Sequence, residues 1–116
     1  MYNFEKLKTW QEAVKLAEMT YQLTQKFPKE ERFALIDQLK RAVTSISLNI
    51  AEGSGSKSRK VFIAHLENSI KSLYETITIL KLAEKLFNLN CKKELTQCEQ
   101  VNKLLQGLLK SIKSNN

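Results

Sequence analysis

The sequence contains few of the residues that form tight turns, covalent bridges or metal sites. Among its 116 residues are three glycines, one proline, two cysteines and one histidine. So few turn-forming residues predict few connections and therefore long secondary-structure elements. A single histidine excludes metal sites built on histidine pairs, and it leaves no second histidine for a catalytic triad. We therefore expect no metal and no cofactor.

The two cysteines, Cys91 and Cys98, are too few for a disulfide framework or a zinc knuckle. On one helix, a spacing of seven residues places their Cα atoms about 10 Å apart at a rise of about 1.5 Å per residue. A disulfide requires about 4.4–6.8 Å between the Cα atoms. We therefore expect two free, partly buried thiols.

Long apolar segments are also missing. No apolar run is long enough to span a bilayer, and the N-terminus has no charged segment followed by an apolar one. We therefore expect a cytoplasmic protein that does not contact the membrane. With 42% apolar residues, the chain has an ordinary globular composition, and its length suits one domain over residues 1–116.

The apolar residues recur at the spacing of α-helices, and nowhere do they alternate as in a β-strand. The clearest stripe lies in the second of four predicted helices and consists of Leu35, Leu39, Ala42, Val43, Ile46 and Ile50. The predicted helices span residues 4–27, 28–52, 58–88 and 91–113. Four helices with short links predict an all-α fold, an antiparallel up-down-up-down four-helix bundle.

Residues that favour helix ends stand at the predicted boundaries. They are the N-caps Asn3, Ser56 or Ser58, and Asn90, the helix-starting Pro28, and Gly53, which would end the second helix in a left-handed conformation. Fraying is expected in the terminal Ser-Asn-Asn segment.

The inward stripe of the first helix is predicted as Leu7, Trp10, Val14, Ala17 and Tyr21. That of the third helix is Phe62, Leu66, Ile70, Leu73, Ile77 and Leu80, and that of the fourth is Leu95, Cys98, Val101, Leu105, Leu108, Leu109 and Ile112.

The first three helices also carry apolar residues on a second face. The additional apolar positions are Leu16, Met19, Leu23, Leu48, Ile79, Leu82 and Leu86. A helix that is apolar on two faces is typical of an oligomer. We therefore expect a homo-oligomer, although amphipathicity does not set the number of subunits.

Of the net charge of +7, +6 lies in two regions of the chain. The link at 54–60 contains Lys57, Arg59 and Lys60 and no acid, and residues 91–116 contain five lysines against two glutamates. Lys92, Lys103 and Lys110 share one side of the last predicted helix. Localised positive charge suits a surface that binds nucleic acid. The alternative is a lysine-rich, solvated helix face.

One residue pair allows an enzymatic alternative. Arg59 and His65 are separated by five residues at the start of the third helix, which resembles the arginine-spacer-histidine signature of HEPN ribonucleases. In such a site the histidine acts on the ribose hydroxyl and the arginine holds the phosphate. The alternative is a surface or interface histidine without catalytic function. We favour a histidine without catalytic function and predict that the protein is not an enzyme, since site geometry rather than spacing defines a catalytic pair.

A polar strip on the second helix leads to a family resemblance. Its residues Gln38, Arg41, Asn49 and Glu52 suggest an internal hydrogen-bond network or a binding site. Residues 49–53 read NIAEG, preceded by QLKRA at 38–42 and FPKEE at 27–31. Together with LKTWQ at 7–11 and SLYE at 72–75, this pattern resembles the family named for 23S ribosomal RNA intervening-sequence proteins. Arg41, Asn49, Glu52 and Gly53 are the motif residues.

The resemblance implies a bacterial four-helix bundle that assembles as a ring-like homopentamer, in a family without an established catalytic activity. The family includes the accessory variability determinant of diversity-generating retroelements, a basic pentamer that works with a reverse transcriptase and its RNA. One departure is Lys71, since many members have glycine before the serine that corresponds to Ser72. We therefore expect a non-enzymatic, oligomeric RNA- or DNA-binding protein. The alternative is a scaffold that binds another protein and uses its charge only for solubility.

Overall fold

Residues 1–114 fold into four α-helices. The computed structural model describes residues 1–114, except for the side chain of Arg32. The helices are α1 (Lys8–Thr24), α2 (Asp37–Ser54), α3 (Arg59–Phe87) and α4 (Lys92–Ser114), and no strand occurs within residues 1–114. The all-α prediction is therefore confirmed. The expected fraying at residues 115 and 116 lies outside the described residues.

Contacts between neighbouring helices show that these helices run in opposite directions. Near the start of α2, Gln38 Nε2 donates a 3.1 Å hydrogen bond to Glu75 Oε2. Near its end, Asn49 Oδ1 lies 2.9 Å from His65 Nδ1. Because the α3 partner moves backward along the chain as the α2 residue moves forward, α2 and α3 are antiparallel.

The pair α3 and α4 is antiparallel by the same criterion. Lys113 Nζ lies 3.6 Å from Glu67 Oε2, and the N–H of Cys91 donates a 3.1 Å hydrogen bond to Glu84 Oε2. Helix α1 packs against α2 and α4, and the bundle measures 48 × 23 × 21 Å. None of the helices within residues 1–114 is both long and apolar enough to cross a bilayer.

The inward face of α1 differs from the predicted one. Leu16 and Leu23, which we predicted on an outer face, lie in the core, whereas Tyr21 is 42% exposed. Threonines explain the error, because a stripe drawn through apolar residues omits them although their methyl groups pack well in a core. Three threonines of α1 are buried: Thr9, Thr20 and Thr24.

The other predicted stripes agree better with the structure. The buried residues of α2 include Leu39, Ala42, Val43, Ile46 and Ile50, and those of α4 include Cys98, Val101, Leu105 and Leu109. In α3, Leu66, Leu73 and Leu80 are buried as predicted, but Ile79 lies in the core as well. Helix α3 packs against both α2 and α4, and this wide contact buries a position that a single stripe leaves outside.

The N-terminal boundary of α1 is also corrected. Asn3 does not cap α1, because Asn3–Lys6 forms a short 3-10 turn that ends at Leu7 in an extended conformation. Helix α1 then begins at Lys8 without a side-chain cap. Asn3 is the first residue of this 3-10 turn, and no side chain caps the turn.

Pro28 precedes two irregular turns rather than starting α2. A 3-10 turn at Lys29–Glu31 and a π-helical turn at Arg32–Ile36 separate it from the first residue of α2, Asp37. The N–H of Glu31 donates to the carbonyl oxygen of Pro28 at 3.0 Å. Proline marks the break in the chain correctly, but it does not distinguish among the helical turns that can follow it.

Gly53 does not end α2. The helix continues to Ser54, and Gly55 follows it in a right-handed conformation with φ −78°. The left-handed residue of the described chain is Asn88, with φ 55°, at the end of α3. The predicted cap at the start of α3 is confirmed, since Ser58 Oγ accepts from the N–H of Val61. Asn90 lies two residues before α4, where its Oδ1 accepts from the N–H of Lys92.

Candidate nucleic-acid interface

The link between α2 and α3 is short and held by serine side chains. Ser56 Oγ accepts a 3.0 Å hydrogen bond from the N–H of Ser58. Ser58 Oγ in turn accepts one of 3.2 Å from the N–H of Val61 in the first turn of α3. The glycine- and serine-rich sequence of this link therefore forms a defined turn and helix cap.

Three cations lie together here, Lys57 in the link and Arg59 and Lys60 in the first turn of α3 rather than in the predicted link, and they are called the basic loop cluster. All three residues are exposed. None of them takes part in the ion pairs that the described side chains form. The cluster therefore presents positive charge that no neighbouring carboxylate neutralises, at the end of the bundle where α3 begins.

The lysines predicted on the last helix do not join this cluster as one patch. Lys92, Lys103 and Lys110 are all exposed on α4. Lys92 is the first residue of α4, and Lys110 follows eighteen residues later, about 27 Å away at a rise of about 1.5 Å per residue. Because α3 and α4 are antiparallel, Lys92 lies at the opposite end of the bundle from the basic loop cluster.

At that opposite end, the structure brings together cations that sequence reasoning missed. An open groove of about 880 Å³ lies between the end of α1 and the start of α4 and is lined in part by Met19, Leu23, Lys26, Lys92 and Lys93. We call it the α1–α4 groove. The adjacent pair at 92–93 was a visible signal in the sequence, but only packing of the two helices places Lys26 beside it.

The motif residues Asn49 and Glu52 meet His65 where α2 contacts α3. Asn49 Nδ2 donates to the carbonyl oxygen of Ser45 at 2.9 Å, which directs its Oδ1 toward His65 Nδ1 at 2.9 Å. Because an amide oxygen only accepts, this contact requires the hydrogen of His65 on Nδ1. Glu52 Oε2 lies 3.9 Å from the same ring nitrogen.

Gly53 allows α2 and α3 to approach closely beside this histidine. A Cβ atom at position 53 would lie 2.7 Å from the Cβ of His65 and 2.9 Å from Cδ1 of Phe62. The contact continues through Ser72 Oγ, which donates to Ser45 Oγ at 2.9 Å. Three of the four motif residues thus form a polar helix seam, here called the α2–α3 seam, while Arg41 is exposed.

Arg59 and His65, the two residues of the enzymatic alternative, do not form a pair among the described side chains. His65 is half-buried and hydrogen-bonded to Asn49, whereas Arg59 is exposed in the first turn of α3. Among the described residues, no hydrogen bond or ion pair links Arg59 to His65. The described side chains also include no group of three or more metal-ligating residues.

The predicted oligomer contacts divide into buried and exposed residues. Leu16, Leu23 and Ile79 lie in the core of the subunit, so their assignment to an interface is wrong. Leu48, Leu82 and Leu86 are 57%, 39% and 62% exposed. Met19 lines the α1–α4 groove. Of the predicted interface residues, Leu48, Leu82 and Leu86 therefore remain as exposed apolar surface for a partner subunit.

Comparisons with known proteins address the identity of the chain. The family model described as 23S rRNA-intervening sequence protein matches residues 5–110. A crystal structure of a protein of unknown function from the S23 ribosomal protein family of Bacteroides thetaiotaomicron is similar, with a TM-score of 0.77 and 25% sequence identity over 88% of this chain and 95% of that one. No curated protein matches the chain. The chain belongs to the 23S rRNA-intervening sequence protein family.

Proposed function

We propose that this protein is a non-enzymatic, cytoplasmic homo-oligomer that binds RNA through the basic loop cluster. The observation that carries the proposal is the exposure of Lys57 in the link and of Arg59 and Lys60 in the first turn of α3, without a carboxylate partner among the described ion pairs. Cations that an acid already pairs must first lose that partner before they bind phosphate. Here that cost is absent.

The chemistry of the cluster favours the phosphate backbone over the bases. It contains no aromatic side chain, and the nearest one in the sequence, Phe62, packs against the core. Recognition of single-stranded bases relies on aromatic stacking. We therefore expect little sequence preference and a strong dependence on salt, because binding releases the counterions of RNA.

The exposed leucines support an oligomer, and the family resemblance suggests a pentamer. Leu82 and Leu86 lie one helical turn apart on α3, and Leu48 is exposed on α2. In a ring, the basic loop cluster recurs once per subunit, so that weak contacts combine through multivalency. We expect light scattering to give about 67 kDa for a pentamer of 13.4 kDa subunits. A single species of 13.4 kDa contradicts this part of the proposal.

The RNA proposal is tested by measuring affinity for a labelled single-stranded RNA across a salt series. Each phosphate contact contributes about 0.7 to the slope of log affinity against log salt. Replacing Lys57, Arg59 and Lys60 by alanine should reduce that slope by about 2. The matched control replaces three exposed lysines elsewhere, Lys15, Lys81 and Lys85.

Two results contradict the proposal. One is negligible affinity for RNA at about 50 mM salt, where electrostatic binding is strong. The other is an equal change of slope in the cluster variant and the control variant, because this assigns the effect to net charge alone. The first result leaves the scaffold alternative, in which the cations serve only solubility.

A further inference from the structure

The α1–α4 groove combines charge and apolar surface in a way that the basic loop cluster does not. Lys26, Lys92 and Lys93 line it together with Glu94, the one acid of its lining, so that positive charge predominates. Met19 adds apolar surface to the same lining, whereas Leu23 is only 5% exposed and contributes little. The volume of about 880 Å³ is within the range of about 300–1,000 Å³ that is usual for specific ligand sites.

The remaining lining residues suit a peptide backbone. Gln22 and Gln25 project from the α1 side of the groove. A glutamine side chain both donates and accepts, as a peptide group does. Methionine is flexible and adapts to varied apolar side chains, so Met19 suits an occupant that inserts one. A peptide with carboxylates around an apolar residue therefore matches the lysines, the glutamines and Met19 of this groove, and among the described lining residues Glu94 opposes it.

RNA matches the same groove less well. None of the lining residues is aromatic, so that no platform for base stacking is present. A sugar-phosphate backbone engages the lysines but leaves the surface of Met19 without an apolar partner. Charge complementarity combined with the apolar lining therefore favours protein over nucleic acid.

We propose that the α1–α4 groove binds a short acidic segment of another protein, with its carboxylates on Lys26, Lys92 and Lys93 and an apolar side chain against Met19. The site lies at the opposite end of the bundle from the basic loop cluster. It is therefore independent of the proposed RNA surface, and the two functions are separable by mutation.

The test measures fluorescence anisotropy of a labelled hexapeptide, four glutamates and two leucines, with the full-length protein. Exchanging Lys92 and Lys93 for glutamate should weaken binding by about tenfold or more, since two attractive pairs become repulsive. The matched control, Lys103→Glu with Lys110→Glu, changes the net charge equally on the same helix and should change affinity less than about twofold. Met19→Gln should weaken peptide binding by about threefold and leave RNA affinity unchanged.

Five results overturn the proposal. The first is absence of peptide binding, and the second is an equal loss in the two double variants, which indicates charge alone. The third is unchanged binding when glutamine replaces the glutamates of the peptide. The fourth is loss of self-association in the Lys92→Glu, Lys93→Glu variant, since a second copy of the chain then occupies the groove. The fifth is a fall of RNA affinity in this double variant but not in the variant with Lys57, Arg59 and Lys60 replaced by alanine, because this result assigns the groove to RNA.

Discussion

Gly53 provides the most direct test of the α2–α3 seam. Replacing a glycine inside a helix by alanine ordinarily stabilises the fold by about 0.5–1 kcal/mol, because alanine has less conformational freedom to lose. At position 53 the new methyl carbon would lie 2.7 Å from the Cβ of His65. Ordinary contacts between carbon atoms are about 3.5–4.0 Å, so the two helices would have to separate by about 1 Å.

This separation has two costs. Overpacking of a helix contact destabilises by about 1–3 kcal/mol. Parting the helices also stretches the 2.9 Å hydrogen bond between Asn49 and His65, whose loss costs about 0.5–1.5 kcal/mol. The gain from alanine offsets part of these two costs. We therefore expect Gly53→Ala to lower the free energy of unfolding by about 1–3 kcal/mol.

The assay is urea unfolding followed by the helical circular dichroism signal, at a fixed protein concentration because oligomers depend on it. With a slope of about 1.5 kcal/mol per molar urea, the midpoint should fall by about 0.7–2 M. Gly107 is the matched control, since it lies inside α4 and a Cβ there meets no atom within 4 Å. Gly107→Ala should raise the midpoint by about 0.3–0.7 M. A rise in both variants refutes the close helix contact.

Two further predictions follow from the titrating side chains. Burial, with smaller contributions from nearby glutamates, raises the pKa of Cys91 to about 11 and that of Cys98 to about 12. Both thiols of the folded protein should therefore resist alkylation by iodoacetamide at about pH 8. Rapid labelling of either cysteine, detected by mass spectrometry, contradicts their burial. A hydrogen bond from Gln97 Nε2, with help from Lys8, lowers the pKa of Glu12. Its stabilisation is thus present above the unfolded pKa and lost as pH falls through the folded pKa. Glu12→Gln should destabilise at pH 7 but not at about pH 3; an equal loss at both values excludes this linkage.

Sequence periodicity predicted the elements that bury mainly large apolar residues. Helices α2 and α4 have their stripes where the spacing placed them. The stripe of α1 was wrong because buried threonines contribute to its inner face, as Thr20 does. Periodicity that counts only apolar residues has no means to detect them.

The sites were less predictable than the fold because they depend on contacts between helices. The loop cations Lys57, Arg59 and Lys60 were visible as a local cluster in the sequence. By contrast, Lys26 is far from Lys92 in the sequence, and only packing of α1 against α4 forms their groove. Gly53 was predicted to end α2, since a glycine near a helix end is more often a cap than a close-contact residue. Its contact with α3 depends on the packing of the two helices, which the sequence alone does not show.

The α2–α3 seam and the basic loop cluster are mechanically connected. Gly53 holds the two helices together immediately before the link, and the link from α2 to α3 comprises four residues, 55–58. Ser56 and Ser58 then fix the turn from which the cations project. Binding to an ordered turn costs less conformational entropy of the protein than binding that must first order a flexible loop. The motif at 49–53 thus supports the proposed RNA binding through the position of the turn, because Asn49 and Gly53 contact α3.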